Sequence, residues 1–396
     1  MALRVFCREV VMFDNPFVPV FGGKPDFFFG RSSILNRFSY ALHDRGSEDR
    51  ALFVTGNRGC GKTALLEQLS TMASAAGWQT IDLNAEKALN GFVRGLMRHD
   101  SVTKSIEPEL EVTVLGSGAR VGGCSSSKTT TFSVDDIEVL LIEACAKAAK
   151  GVFVSVDEIQ KLAPEDFSVI CGAFQMASRK GCDVILAVAG LPYAHEEVIQ
   201  YKGCTYMRRA VHERLGVFDP REARSVLGEA FGHIEGLEAT PDALDELTRL
   251  TFGHPYLIQL AGYYLVSLLN ERNGQRRKAS IAVEDVRESF PAVLAAYENR
   301  ALRPIVDALS PAESEYLGAM AAVIHSDRTV LTREVADRLG KSQQSTSPAR
   351  DGLVKEGIVV SAGYGKLMFN MPYLQPYLLK DRPEEDEARL ARAWGF

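Results

Sequence analysis

Short apolar runs alternate with helical periodicity along the first half of the chain. ALFVT (51–55), WQTIDL (78–83), VFVSV (152–156) and DVILAVA (183–189) are short, apolar and rich in β-branched residues. Such runs predict strands covered on both faces, the habit of a parallel sheet. Between them, TALLEQLSTMASAA, DDIEVLLIEACAKAAK and EDFSVICGAFQMASRK repeat apolar residues at helical spacing. The alternation predicts an α/β fold, a parallel sheet flanked by helices, with its ligand site at the carboxyl ends of the strands. Residues 101–133 interrupt it with a stretch rich in Ser, Thr and Gly. The alternation in LEVTVLGSGARVGG predicts a β-hairpin turning near Gly116–Gly118, either a passive insertion or a segment that touches a partner or DNA.

After about residue 219 the strands stop and amphipathic helices follow: PREARSVLGEAF, TPDALDELTRLTFG, PYLIQLAGYYLVSLLNER and VEDVRESFPAVLAAYE. Asp219-Pro220 and Thr240-Pro241 fit helix starts, a polar cap before a proline. NGQRRKAS (273–280) reads as a polar loop. Residues 310–380 then give three helical pieces and IVVSAGYGKLMFNM, two short strands around a Gly-rich turn, which is a winged helix-turn-helix pattern. The expected organisation is a core over 1–218 with the insertion at about 101–133, a helical lid over 219–309, a winged helix over 310–380 and an acidic tail over 381–396.

The length of 396 residues exceeds what one core usually organises, in keeping with several domains. Against 45 Lys and Arg stand 51 Asp and Glu, a formal charge of −6, which excludes a uniformly basic nucleic-acid coat but not a local basic face. The seven cysteines (Cys7, Cys60, Cys124, Cys145, Cys171, Cys182, Cys204) form no CxxC pair, so neither a zinc ribbon nor a disulfide framework is indicated. Reduced thiols and the lack of an apolar run approaching roughly 18 residues predict a cytoplasmic protein with no membrane partner.

The strongest chemical signal is GNRGCGKT (56–63), which fills the pattern GxxxxGK[ST] between an apolar strand and a helix. Gly56, Gly59 and Gly61 let backbone N–H groups turn inward to cradle phosphate oxygens, with a helix N-terminus behind them. Gly56, Asn57, Arg58, Gly59, Cys60, Gly61, Lys62, Thr63 and Ala64 are thus the candidate phosphate-binding set. Lys62 would neutralise the β/γ-phosphates and the Thr63 hydroxyl would ligate Mg²⁺. The second signal is VFVSVDEIQKL (152–162), about 95 residues further on. There Asp157, ending a buried strand, would hold the magnesium shell, and Glu158 would polarise a water for in-line attack on the γ-phosphate. Gln160 either orients that water or faces solvent.

These motifs resemble the AAA+ ATPases, especially the branch of origin-recognition-complex-like proteins. FFFGRSSILNRF (27–38) looks like that branch's adenine-side box, which implies that Gly30 and Arg31 border base and ribose while Phe29 packs nearby. The strand DVILAVAGLP carries Gly190 and Leu191 where many members carry a polar sensor. GHPYLIQLAG (253–262) resembles the Gly-x-Pro turn of signalling-type (STAND) relatives, which implies nucleotide contact by His254 and Pro255; a proline at a helix start after a glycine needs no ligand. Arg208 or Arg209 best matches the family's trans-acting arginine, although such residues also serve as surface ion-pair partners.

In the C-terminal module TREVADRLG forms one helix, and SQQSTSPARDGLVKEG the candidate recognition helix, with Pro348 expected in its first turn or kinking it. Ser342, Gln343, Gln344, Ser345, Thr346 and Arg350, with Lys366 and Tyr364 on the wing, supply groups for phosphates and base edges. Eight Lys/Arg against seven Asp/Glu over 310–380 leave a net +1, which fits modest DNA binding or a protein-docking role. Together these features describe an ATPase using ATP and Mg²⁺, whose nucleotide state governs contact with duplex DNA, with a homo-oligomer or protein partner. The alternative is a nucleotide-operated signalling switch with slow turnover, whose winged helix binds protein.

Overall fold

The computed structural model describes residues 12–20, 28–97, 112–115, 130–273 and 278–380. The expected turn at Gly116–Gly118 and the acidic tail over 381–396 lie outside these residues. The chain divides into two compact units, Arg31–Leu215 and Met1–Gly30 together with Gly216–Phe396.

In the first unit the elements run α1 (Ser32–Ala41), β1 (Ala51–Gly56), α2 (Lys62–Ala75), β2 (Gln79–Asn84), α3 (Ala88–Met97), β3 (Val112–Leu115) and β4 (Thr130–Ser133). They continue with α4 (Val134–Lys147), β5 (Val152–Asp157), α5 (Pro164–Arg179), β6 (Val184–Gly190), α6 (Ala194–Val198) and β7 (Val211–Leu215). Five strands form one parallel sheet in the order β2-β5-β6-β1-β7. The apolar runs behave as their patterns require. β1 and β6 are buried along their whole length and β5 up to Val156. Phe53, Phe92, Val154, Phe167, Phe174 and Leu186 share one core, and Phe38 of α1 meets Phe153 edge-on at 5.5 Å.

β7 has no counterpart among the expected strands. It lies at the sheet edge, half-exposed, and VHERL carries three polar residues in a row, so it leaves no apolar run. The insertion also differs from expectation. β3 and β4 pair in parallel, Val112 opposite Thr130, so they are not the two arms of a hairpin turning near Gly116–Gly118. Alternation marks a strand but not its pairing direction, and parallel strands need a longer crossover than a tight turn.

The second unit holds α7 (Pro220–Gly232), β8 (Leu237–Ala239), α8 (Pro241–Thr251), α9 (Pro255–Asn273), β9 (Ala279–Ile281), α10 (Val283–Tyr297) and α11 (Arg303–Asp307). Asp219 caps α7 by accepting from the N–H groups of Arg221 and Glu222, and Thr240 caps α8 through Ala243 N–H, each with proline at the first helical position. Strands do not stop at 219: β8 and β9 pair in parallel, and Ala279–Ile281 takes the end of the expected polar loop. At three residues each, they are too short to leave a periodic signal.

Residues 12–18 belong with these helices rather than with the sheet unit to which the sequence assigned them. Phe13 and Phe17 enter the helical core, Phe17 lies 5.2 Å from Phe231, and Phe13 exchanges two backbone hydrogen bonds with the Asn270 carboxamide on α9. Two isolated aromatics give no period from which this could be read.

The C-terminal elements are α12 (Pro311–Val323), β10 (Thr329–Leu331), α13 (Thr332–Leu339), α14 (Gln343–Lys355), β11 (Val359–Gly363), β12 (Lys366–Phe369) and α15 (Leu374–Leu379). The three strands pair antiparallel in the order β10-β12-β11. Gly340 ends α13 in left-handed backbone at φ 63°. Pro348 lies inside α14, past its first turn. The Gln344 carbonyl that it cannot bond accepts the Ser347 hydroxyl at 3.1 Å instead. A single apolar core runs from Phe13 through the helices to Leu374, so 219–309 and 310–380 share one interior.

Candidate nucleotide site

The parallel sheet brings Gly56, Asp157 and Gly190 to one edge, at the carboxyl ends of β1, β5 and β6. The chain leaves β1 at Gly56, where a Cβ would stand 2.5 Å from Cys60 Sγ and 2.6 Å from the Leu215 carbonyl oxygen. Only glycine fits there. Gly61 turns into α2 with φ 90°, and a Cβ on it would meet nothing within 4 Å, so it is required for conformation and not for space. The loop between them leaves Arg58 and Gly59 exposed, Asn57, Gly61 and Ala64 half-buried and Cys60 buried. Leu65, Leu66 and Leu69 anchor α2 behind it.

Lys62 is buried at 7% exposure, and its ammonium donates to the carbonyls of Gly56 at 2.8 Å and Asn57 at 2.9 Å. A cation is therefore fixed inside the glycine loop. The Cys60 thiol is pushed up by burial, an effect opposed by the positive charges of Lys62 and Arg31. Arg31 caps α1 in left-handed backbone at φ 57°, directly after Gly30 at φ 79°. Gly30 belongs to the other unit, where a Cβ would stand 2.8 Å from the Phe218 ring.

Thr63, exposed at the start of α2, donates its hydroxyl to Asp157 Oδ2 at 2.5 Å across 94 residues of sequence. Asp157 Oδ1 accepts the Glu158 N–H at 2.8 Å. Two hard oxygen ligands thus meet at the mouth of a cationic loop, the donor set that Mg²⁺ takes beside phosphates. Glu158 turns the chain out of β5 in left-handed backbone, φ 55° and ψ 41°, a costly conformation for a residue with a Cβ. Its Oε2 accepts from Gln160 Nε2 at 2.9 Å and pairs with Lys161 Nζ at 3.3 Å. Gln160 thus does not simply face solvent.

Behind the loop lies a group that sequence reading missed. Thr55 Oγ1 is hydrogen-bonded to His212 Nε2 at 2.7 Å, and the His212 ring stacks on His195 at 3.8 Å. Burial, with the neighbouring His195 and Arg214, pushes His212 down to about 4. The three residues come from β1, α6 and β7, and no spacing in the sequence joins them.

The remaining candidates come from other elements. Arg208 and Arg209 are exposed on a short turn before β7, with Arg208 Nε donating to the Ile199 carbonyl at 2.7 Å. His254 and Pro255 lie in the helical unit, His254 buried with its ring 6.0 Å from Tyr297 and Pro255 opening α9. On α14, Gln344 and Ser345 are exposed, Ser342 is the helix cap, and Gln343 Oε1 accepts from Thr332. Arg350 is paired with Asp351 at 2.8 Å, while Lys366 and Tyr364 are exposed on the β11–β12 hairpin. Thr346 is not available to a base edge: it is buried at 6% exposure and donates to the Gln343 carbonyl of its own helix.

Residues 28–186 match the AAA ATPase domain family. The five-stranded parallel sheet, flanked by helices, is the fold of the AAA+ P-loop ATPases. The same fold is found in the Aeropyrum pernix ORC2 protein. Its ADPNP–ADP complexes superpose with a TM-score of 0.63 at 14% identity, covering 97% of this chain and 98% of that one. Its ADP form gives 0.53 at 15% identity with the same coverage. Residues 299–378 match a domain of unknown function, and no curated protein sequence matches significantly. No helix among the described residues is long and apolar enough to cross a membrane.

Proposed function

We propose that the chain is a Mg²⁺-dependent ATPase whose nucleotide state controls a C-terminal winged helix and its contact with duplex DNA. The observation that carries this reading is the 2.5 Å contact of Thr63 with Asp157 beside the buried ammonium of Lys62. Backbone N–H groups over 57–64 would cradle the phosphates and Lys62 would neutralise them. When bound through Thr63 and Asp157, magnesium neutralises charge growing on the β- and γ-phosphate oxygens. Glu158 takes a proton from the attacking water as the new O–P bond forms. The bond to the β–γ bridging oxygen breaks, giving ADP and phosphate. Arg31 and Gly30 are assigned to base and ribose, and His254 and Pro255 to the nucleotide, by their sequence pattern. Arg208 or Arg209 would serve a neighbouring copy in trans, and the cytoplasm is the proposed compartment. The similarity to a protein solved with ADPNP and ADP supports the choice of nucleotide.

Lys62→Ala is expected to abolish binding of a fluorescent ATP analogue. Glu158→Gln is expected to keep that binding and stop phosphate release, and wild-type release from this variant removes Glu158 as the base. Turnover measured with and without duplex DNA tests the control of the C-terminal module.

A second reading is a signalling switch with slow turnover whose winged helix docks protein. It is favoured by the engagement of Lys341 with Glu315 at 2.6 Å and of Arg350 with Asp351, which weakens the field that DNA phosphates would meet. Purified protein that retains ADP and shows negligible steady-state hydrolysis selects it.

A further inference from the structure

β6 ends in Gly190-Leu191, with no polar side chain at its carboxyl end, yet a polar group stands there. Gln160, from the turn after β5, reaches across so that its Oε1 accepts the Leu191 N–H at 3.2 Å. Its Nε2 donates to Glu158 Oε2 at 2.9 Å. The side chain thus has a fixed orientation: one end is held by the backbone of β6, and the other can only donate to the carboxylate. Gly190 makes the room. A Cβ there would stand 2.9 Å from Gln160 Oε1, 2.6 Å from Ile159 Cγ2 and 2.8 Å from Ala194 Cβ. Any larger residue would displace Gln160.

The hydrogen bond and the ion pair of Glu158 both fall on Oε2, from Gln160 and Lys161. Oε1 is the oxygen left to accept a proton. The left-handed backbone of Glu158 needs such support from its surroundings to persist. Lys161 is exposed, and its charge on a flexible stem restrains direction poorly. Gln160 restrains it well, because both of its ends are bonded.

We propose that Gln160 is a positioning residue for Glu158: anchored on the Leu191 N–H, its carboxamide fixes one carboxylate oxygen so that the other faces the attacking water. The role rests on the ATPase reading above. It assigns to the loop after β5 the polar contact that the end of β6 lacks. Gln160 acts through Glu158.

The experiment uses the full chain, with Gln160→Leu and Gln160→Glu measured beside wild type and Glu158→Gln. Gln160→Glu keeps the size and the acceptor for Leu191 N–H but replaces the donor facing Glu158 with an acceptor. Both variants are expected to lose about tenfold in kcat, with KM for ATP and affinity for a fluorescent ATP analogue changed less than about twofold. Hydrogen exchange of the nucleotide-free protein gives a readout independent of turnover: the Leu191 amide exchanges faster in Gln160→Leu and at the wild-type rate in Gln160→Glu. Wild-type kcat in Gln160→Glu, a rise in kcat in either variant, a loss confined to KM, or unchanged Leu191 exchange in Gln160→Leu overturns the role. If wild type turns over and Glu158→Gln does not, such a result removes Gln160 alone. A wild-type protein without turnover removes the ATPase reading and this role with it.

Discussion

His212 and His195 show how a single position acquires its properties from neighbours far off in sequence. Their rings stack at 3.8 Å, with Phe53 edge-on to His195 at 4.9 Å and Arg214 beside both. Burial lowers both basicities first and Arg214 adds to both; His195 adds to the shift at His212, while Glu196 opposes the shift at His195. The sign follows. An imidazole depressed in the folded state binds protons preferentially when unfolded, so its contribution is complete above the ordinary value near 6.5. Stability is lost as pH falls from there toward about 4. We expect the urea midpoint to drop over that window, and to drop less in His195→Phe, which keeps a ring in the stack without a second charge. Equal acid slopes in the two proteins would exclude the pair as their source. Neither histidine lies in a motif, so neither was legible. Lys62, Thr63, Asp157 and Glu158 do stand in local patterns, a glycine-rich loop and an acidic strand end that each fit within a few residues.

Elements were legible where their signals are local, as at the proline-led starts of α7 and α8, and further caps appear in the structure. Ser310 and Glu313 form a reciprocal cap on α12: the serine Oγ accepts the Glu313 N–H at 3.4 Å, and the Ser310 N–H donates to Glu313 Oε2 at 3.0 Å. Ser133 and Asp136 do the same for α4. Ser310→Ala is expected to cost about 1 kcal/mol, read as a lower denaturant midpoint with an unchanged slope. A midpoint equal to wild type would show that the cap is redundant there. Strands fared less evenly. The buried runs of β1, β5 and β6 announced themselves, while β7 is polar at an edge and β8, β9 and β10 have only three residues each. Short and edge strands are defined by the partner that supplies their hydrogen bonds, and the partner is not written into the strand.

At the scale of the molecule, the helical unit is tied together by a contact across 123 residues. Tyr373 donates its hydroxyl to the Leu250 carbonyl at 2.6 Å, and its ring meets Phe252 at 5.4 Å and Phe290 at 5.9 Å. Arg328 lies over the Phe252 ring at 4.2 Å. Phe252, Arg328 and Tyr373 all hold left-handed backbone, with φ of 51°, 63° and 61°. Three non-glycine residues in that region at one junction persist only because the packing around them over-determines the geometry. Tyr373→Phe keeps the ring and strands a buried carbonyl, so a loss of about 1–3 kcal/mol is expected in equilibrium unfolding. No loss would mean that water reaches Leu250.

By itself the sequence determined the alternation of strand and helix, the glycine-rich loop, the acidic strand end, the proline-led caps and, near the C-terminus, the helices α12 to α14 with the β11–β12 hairpin. Each is a pattern closed within one element or one turn, where periodicity and backbone sterics act over three or four residues. Only the tertiary structure decided that Thr63 meets Asp157, that Gln160 reaches Leu191, that two histidines stack behind the loop and that β3 and β4 run parallel. It also gave Phe13 and Phe17 to the helices. These are contacts between separate elements, set by the order in which strands join a sheet and by the surfaces that pack, and a linear pattern carries neither.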